Sequence, residues 1–313
     1  MSEFKKIHLI ENVLGRASSR VQVGIGDDAA VVELPRSPLL LCSDAMVEGV
    51  HFDLAYCLPA ELGHKALASC LSDIAAMNGK PLHALFSLAL PKAVSDEFIS
   101  QFYLGAASLA RVYGVDIVGG DLTASPNGIF VDVTLVGEVK NPLLRSGARA
   151  GDWVAVSGHP GLAAAGLQAL KSRPREEIAP SLIKAHLTPR PRFDLLPLLQ
   201  ANCTSLIDIS DGVSSELHHL AEKSKVGFEL NALQFPLHLD AVAAVGSLDV
   251  ALTLALSGGE DYELLATFDG DVPEGFTVIG RAVGAEQGLI ITNLDGSRST
   301  LELTGYNHFK PQT

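Results

Sequence analysis

Two runs of alternating strand-like and helix-like segments, parted by one stretch of turn formers, constrain this chain more than any single motif does. In the first run, Leu39 to Cys42 is a short apolar segment behind a Pro35/Pro38 break and reads as a buried strand. From Pro59 to Met77 the apolar positions Leu67, Cys70, Leu71, Ile74 and Met77 recur with the helical period, so a helix is predicted there with Asp73 at the rim of its apolar face. A strand pattern follows at His83 to Leu90, then a helix at Ser95 to Tyr113. Next come a strand at Val115 to Val118, which runs into Gly119, Gly120 and Asp121, and a long alternation from Ile129 to Val139. Lys140 to Asp152, with Pro142, Gly147 and Gly151, closes the run. The pattern restarts with a strand at Trp153 to Ser157, a helix at Leu162 to Lys171, a strand at Ser205 to Ile209 and a helix at Val213 to Lys223; Leu252 to Leu256, the turn SGGED and Tyr262 to Thr267 end it. HLTPRPR, His186 to Arg192, is expected to be extended because its two prolines disfavour helix on both sides. The expectation is a mixed α/β fold in two domains, 1–140 and 150–313, for which a chain of 313 residues with 47% hydrophobic residues has material for two cores.

Charge then argues against a nucleic-acid partner. A formal net charge of −13 and a pI near 5.1 leave no basic footprint for a nucleic-acid backbone. Cys42, Cys57, Cys70 and Cys203 are widely spaced and form no C-x-x-C pair, which suggests neither a zinc site nor a disulfide framework and fits a reducing cytoplasm. The opening MSEFKKIHLIENV has no sustained apolar core of a leader, and no stretch reaches the ~18 apolar residues of a membrane span, so a soluble cytoplasmic protein is expected.

Against that acidic background, aspartate recurs in short glycine- or serine-marked signatures: GIGDD with Asp27 and Asp28, SD at Asp44, LSD at Asp73, GGD at Asp121, and DISD from Asp208 to Asp211. Carboxylates on tight turns and strand ends are the oxygen ligands that hard divalent cations such as Mg²⁺ take, so the set points to a metal-nucleotide site. Each aspartate taken singly is equally at home as a turn former or a helix cap, and it is their recurrence that carries the reading. Other routes to a nucleotide close. GIGDDA fits the loose dinucleotide pattern but is followed by the β-branched Val31 and Val32 and by Pro35, not by a helix. Gly79 and Lys80 are followed by Pro81 and so make no P-loop, and the ten histidines make no H-E-x-x-H. His51 alone reads as a core-edge histidine, Arg145 as a solvated charge and Tyr306 as a packing aromatic.

Seven stretches, in order from Gly24 to Leu264, resemble those of the thiamine-monophosphate kinase family within the aminoimidazole-ribonucleotide-synthetase-like superfamily. They are GIGDDAAV, SDAMVEGVHF, KALASCLSDIAAM, GGD, GDWVAVSG, IDISDGV and SGGEDYEL. The resemblance implies ATP-dependent phosphorylation of thiamine monophosphate to thiamine diphosphate with several Mg²⁺ ions. It implies a homodimer whose N-terminal α/β domains, which bind ATP and Mg²⁺, join strands in a barrel-like interface, each with a C-terminal α/β domain. By matched position, Asp27, Ser43, Asp44, Asp73, Asp121, Asp208 and Asp211 are the implied metal ligands. Tyr103, Gly120, Asp121, Arg145 and Ser210 are the implied ATP contacts, and His51, Glu260 and Tyr306 the implied contacts to thiamine monophosphate. No side chain is expected as general base, because the acceptor is already an ionised phosphate. The chain departs from the family pattern at Leu122 after GGD, at Asn78 after DIAAM, and in SSELHH after DISDG; none of these removes an implied ligand. A sister synthetase of the superfamily and a Mg-nucleotide-binding sensor without turnover stay open as alternatives, although VEGVHF and the retained His51 and Glu260 speak for the kinase.

Overall fold

In a computed structural model of the chain, residues 3–26, 29–33, 35–199 and 202–306 are described. The chain divides into two units, Met1–Ile74 with Gly79–Asn141, and Ala75–Asn78 with Pro142–Thr313.

In the first unit, helix α1 (Glu3–Leu14) and the ribbon of β1 (Val21–Val23) and β2 (Val31–Val32) precede β3 (Leu39–Val47), α2 (Pro59–Ala76), β4 (Lys80–Pro91), α3 (Asp96–Tyr113), β5 (Asp116–Ser125) and β6 (Phe130–Glu138). The last four strands form one sheet in the order β3-β6-β4-β5, antiparallel except between β4 and β5. The ends of α3 follow from local chemistry. The Ser95 side chain accepts from Phe98 N, and Gly114 closes the helix at φ 67 in the left-handed region. One sheet face packs on the helices: Phe86 meets Phe102 edge-on at 5.9 Å, and the Cys70 thiol donates to Val133 O at 3.0 Å. The opposite face carries the exposed Leu39, Leu41, Val47, Leu85 and Phe130.

Two expected strands are longer than their apolar cores. β3 continues through Ser43 and Asp44 to Val47, paired with β6 along its whole length, and β5 continues beyond Asp121 to Ser125. Asp44 and Asp121 therefore lie inside strands, not at their ends, because backbone pairing does not stop where a side chain turns polar.

The second unit has β7 (Trp153–Ser157), α4 (Leu162–Ser172), α5 (Pro180–Leu187), β8 (Cys203–Ile209), α6 (Val213–Ser224), β9 (Gly227–Asn231), α7 (Leu239–Val245), α8 (Leu248–Ser257), β10 (Glu263–Phe268), β11 (Phe276–Val283), β12 (Leu289–Thr292) and β13 (Arg298–Thr300). Among the described residues its seven strands run β13-β12-β9-β11-β7-β10-β8, with only β12 and β9 parallel. Both faces are buried. Val154, Val156, Ile207, Ile209 and Leu265 enter one cluster, and Ala155, Leu206, Leu264, Ala266 and Phe268 enter the other. The expectation that His186 to Arg192 is wholly extended is corrected: His186 and Leu187 form the last turn of α5, and Thr188, which Pro189 pushes out of the α region, caps it. Leu252 to Leu256 belongs to α8, started by the Ser247 side chain accepting from Val250 N. No single helix among the described residues is long and apolar enough to cross a membrane.

Candidate active site

Each unit carries some of the implied site residues. In the first, Ser43 and Asp44 are neighbours on the edge strand β3 and so face opposite ways. The Cys70 thiol and the Ser69 hydroxyl lie beside the Asp44 carboxyl; burial holds that carboxyl above the ordinary range, and the charge of Asp132 adds to this while Cys70, Ser69 and His51 oppose it. Asp73 is half-buried on α2. The Cys70 thiol is pushed well above its usual value by its hydrogen bond with Cys42 and by burial, then by the charges of Asp44 and, last, Asp73, so these two aspartates act on one thiol.

On the other face the Ser43 hydroxyl donates to Asp132 Oδ1 at 2.9 Å. The strand register places Ser87 directly across from Asp132 on one side and from the exposed Asp121 on the other. Asp132 is a carboxylate the sequence reading missed, since it lies in the uninterrupted alternation of β6 with no glycine or serine signature. Gly120, before Asp121, has φ 151, and a Cβ there would fall 1.8 Å from Phe86 O; the backbone of GGD is thus pressed onto β4 in a way only glycine permits.

His51 accepts at Nδ1 from Val47 N at 3.0 Å, so the neutral ring carries its proton on Nε2. The wholly buried Lys65 donates to His51 O at 3.1 Å and fixes the same turn. Tyr103 lies on the buried face of α3 with its ring 5.8 Å from that of Phe86 and 5.3 Å from that of Phe102; 4% of it is exposed, and burial pushes its hydroxyl up. Asp27 and Asp28 lie outside the described residues.

In the second unit the loop at Ser210 and Asp211, between β8 and α6, is a hub. Glu260 N donates to Ser210 O at 2.7 Å and Tyr306 N to Asp211 O at 3.1 Å, which draws two implied substrate contacts to one loop. The segment leading to Tyr306 is tied down by Ser214, whose hydroxyl donates to Glu302 O at 2.6 Å and accepts from Thr304 N at 3.4 Å. Glu216, absent from the expected site, receives Asp211 N at 3.0 Å. Burial first, then the charges of Asp208 and Asp211, push its carboxyl up to about 8, against the Asp211 amide and Arg145. Asp208 is buried near the end of β8, while Arg145 is exposed, its carbonyl accepting from Ser224 Oγ at 3.0 Å. Glu216 lies in SSELHH, the segment in which the chain departs from the family pattern.

SGGEDYEL divides its three carboxylates. Glu260 faces His186, Glu263 pairs with Arg192, and Asp261 accepts from Gly161 N at 2.6 Å and Ala163 N at 3.0 Å, capping α4, whose own N-cap is a glycine. Burial pushes the Asp261 carboxyl up to about 7; the two amides pull it down, and Glu263 and Glu260 push it up. A folded pKa above the unfolded one makes the contribution present at low pH and lost as pH rises through about 7. Relative to Asp261→Asn, the protein is expected to gain about 1.4 kcal/mol of unfolding free energy between pH 8 and pH 6. Urea midpoints of both proteins at the two pH values test this, and a constant difference would refute it.

The donor chemistry suits a hard cation: carboxylate and hydroxyl oxygens, with Asp44 in a setting that disfavours its charge until a cation is near. Among the described residues no three Asp, Glu, His or Cys side chains converge on one metal position.

Residues 26–139 match the family described as AIR synthase related protein, N-terminal domain. The chain is 37% identical to a thiamine-monophosphate kinase of Bacillus subtilis (strain 168), with 99% of this chain and 100% of that one covered. It is 36% identical to a thiamine-monophosphate kinase of Escherichia coli (strain K12), over 92% of each chain. Of solved structures, thiamine-monophosphate kinase from Stenotrophomonas maltophilia K279a aligns with a TM-score of 0.82 at 32% identity, covering 96% of this chain and 98% of that one. A chain described as AaThiL complexed with AMPPCP and TMP aligns with a TM-score of 0.80 at 36% identity, covering 98% and 97%. The hydrogenase maturation protein HypE of E. coli, at 20% identity and a TM-score of 0.76, shares the fold.

Proposed function

This chain belongs to the thiamine-monophosphate kinase family, and we infer from that membership that it transfers the γ-phosphoryl group of ATP to thiamine monophosphate, giving thiamine diphosphate. The carrying observation is the extent of the match: 100% and 92% of the two kinase relatives are covered, and 97% of a structure holding an ATP analogue together with TMP.

The chemistry asks for charge neutralisation above all. Donor and acceptor are both anions, and two unit charges 4 Å apart repel by about 4 kcal/mol at an effective dielectric of 20. Mg²⁺, when bound, would offset that repulsion and polarise the transferring group. In this proposal Asp27, Ser43, Asp44, Asp73 and Asp121 of the first unit and Asp208 and Asp211 of the second are the ion-holding groups. Gly120, Arg145 and Ser210 meet the nucleotide, and so does Tyr103, of which only a rim is exposed in the single chain. His51, Glu260 and Tyr306 meet thiamine monophosphate. His51 offers its Nε2–H, since Nδ1 is already taken by Val47 N.

The proposal includes a homodimer formed through the four-stranded sheet. Leu41, 71% exposed on the edge strand β3, stands with Leu39, Val47, Leu85 and Phe130 on one uncovered face, an arrangement a second copy would bury in a barrel-like joint. A cytoplasmic location fits the use of ATP and four free cysteines. The test is ADP release with ATP and Mg²⁺, with and without thiamine monophosphate, and with the product identified by chromatography. Release that requires the acceptor and yields thiamine diphosphate is expected; ATP binding without diphosphate under any divalent ion would leave a sister reaction or a sensor.

A further inference from the structure

Two sequence motifs meet in the second unit, and the mechanism leaves one of them unused. HLTPRPR supplies His186, from the last turn of α5, and Arg192; SGGEDYEL supplies Glu260 and Glu263. His186 Nδ1 stands 3.5 Å from Glu260 Oε2. Arg192 Nη1 stands 2.6 Å from Glu263 Oε2, which the Ser157 hydroxyl also meets. Pro189 and Pro191, between His186 and Arg192, stiffen the span that separates them.

Glu260 needs such a brace for two reasons. Its backbone has φ 69 and that of Tyr262 has φ 50, the left-handed region that non-glycine residues adopt only when their surroundings hold them there. Those surroundings are Ser210 O and Ile209 O, which accept from Glu260 N at 2.7 Å and Tyr262 N at 2.9 Å. Glu260, Asp261 and Glu263 also crowd three carboxylates into four residues, and their mutual repulsion drives any unheld side chain outward. His186 is 1% exposed on a helix packed against α4, so its ring has little room to move.

We propose that His186 is a positioning residue for the acceptor, holding the Glu260 carboxylate in the orientation that meets the cationic thiamine moiety, while Arg192 anchors Glu263 out of its way. This rests on the reading of thiamine monophosphate as acceptor and of Glu260 as its contact.

The test compares wild type with His186→Leu, His186→Asn, Glu260→Gln and the double variant His186→Leu/Glu260→Gln, using steady-state kinetics and calorimetric titration with thiamine monophosphate. His186→Leu should raise the KM and Kd for thiamine monophosphate about tenfold and leave the KM for ATP within about twofold. His186→Asn, which keeps a donor where Nδ1 stood, should recover most of that loss. The double variant should bind the acceptor no worse than Glu260→Gln alone, because the two residues act as one unit. Additive losses, or an equal loss of ATP affinity, would overturn the inference. Should His186→Leu not fold, the ring NMR signals of His186 in the wild type decide: they should shift with thiamine monophosphate and not with an ATP analogue, and immobile signals would overturn it. A wild type that cannot bind thiamine monophosphate removes the acceptor reading and the inference with it; a wild type that binds beside an unaffected His186→Leu removes the inference alone.

Discussion

Asp44→Asn is expected to lower thiamine diphosphate formation by about three orders of magnitude while leaving the metal-free protein as stable as wild type, or more stable. The two halves of that expectation have one cause. Burial and the nearby Asp132 hold the Asp44 carboxyl above its ordinary range, so in the absence of a cation its charge is a cost to the folded state. A folded pKa above the unfolded one means that protonation stabilises, and an amide imitates the protonated form. In the proposed ion site, turnover needs the charge that stability does without. Single-turnover assays give the first half and thermal melts without and with Mg²⁺ and an ATP analogue the second. Wild type should gain more from the added Mg²⁺ than the variant does. Activity within tenfold of wild type, or a variant melting well below it without metal, would remove Asp44 from the ion-holding set.

Gly105→Ala is expected to destabilise the first unit by about 3 kcal/mol, against the direction that helix propensity gives. In an exposed helix interior, alanine in place of glycine gains roughly 0.5–1 kcal/mol. At Gly105 of α3, however, a Cβ would fall 1.8 Å from Ala60 O on α2, and at Gly63 of α2 a Cβ would fall 1.9 Å from Phe102 O on α3. The two helices touch backbone to backbone at both places, so neither can yield without parting from the other. Because α2 carries Asp73 and α3 carries Tyr103, the variant should also lose nucleotide affinity in proportion to its loosening. Urea unfolding followed by circular dichroism measures the effect, with an unchanged slope and a lower midpoint expected. A loss under 1 kcal/mol would mean that the close contact relaxes easily.

How much of this was legible in the sequence depended on where the information lay. The helix over Ser95 to Tyr113 was legible because its cap, its period and its closing Gly114 are local. The strand containing Asp44 was read short because its continuation depends on pairing with β6, ninety residues away, and no local signal reports that. The implied ligands were found through their glycine and serine markers. Asp132, His186 and Glu216 carry no such marker: one sits in a plain strand alternation and the other two in plain helix. What brings them to notice is what stands across from them, namely Ser43, Glu260 and the Asp211 amide. HLTPRPR was read for its backbone alone, and its prolines concealed that His186 and Arg192, on either side of them, stand against Glu260 and Glu263.

The ladder between β8 and β10 sets Asp208 opposite Leu264, and Ile207 opposite Leu265, on the two faces of a sheet that is buried on both. A slip of one residue would exchange those faces, driving the Asp208 carboxylate into the cluster now filled by Ile207 and Ile209 and stranding both isoleucines on the other side. Nascent chains that zip these strands in the wrong register are therefore expected to be penalised at Asp208, the carboxylate proposed above to hold an ion, before any ion is bound.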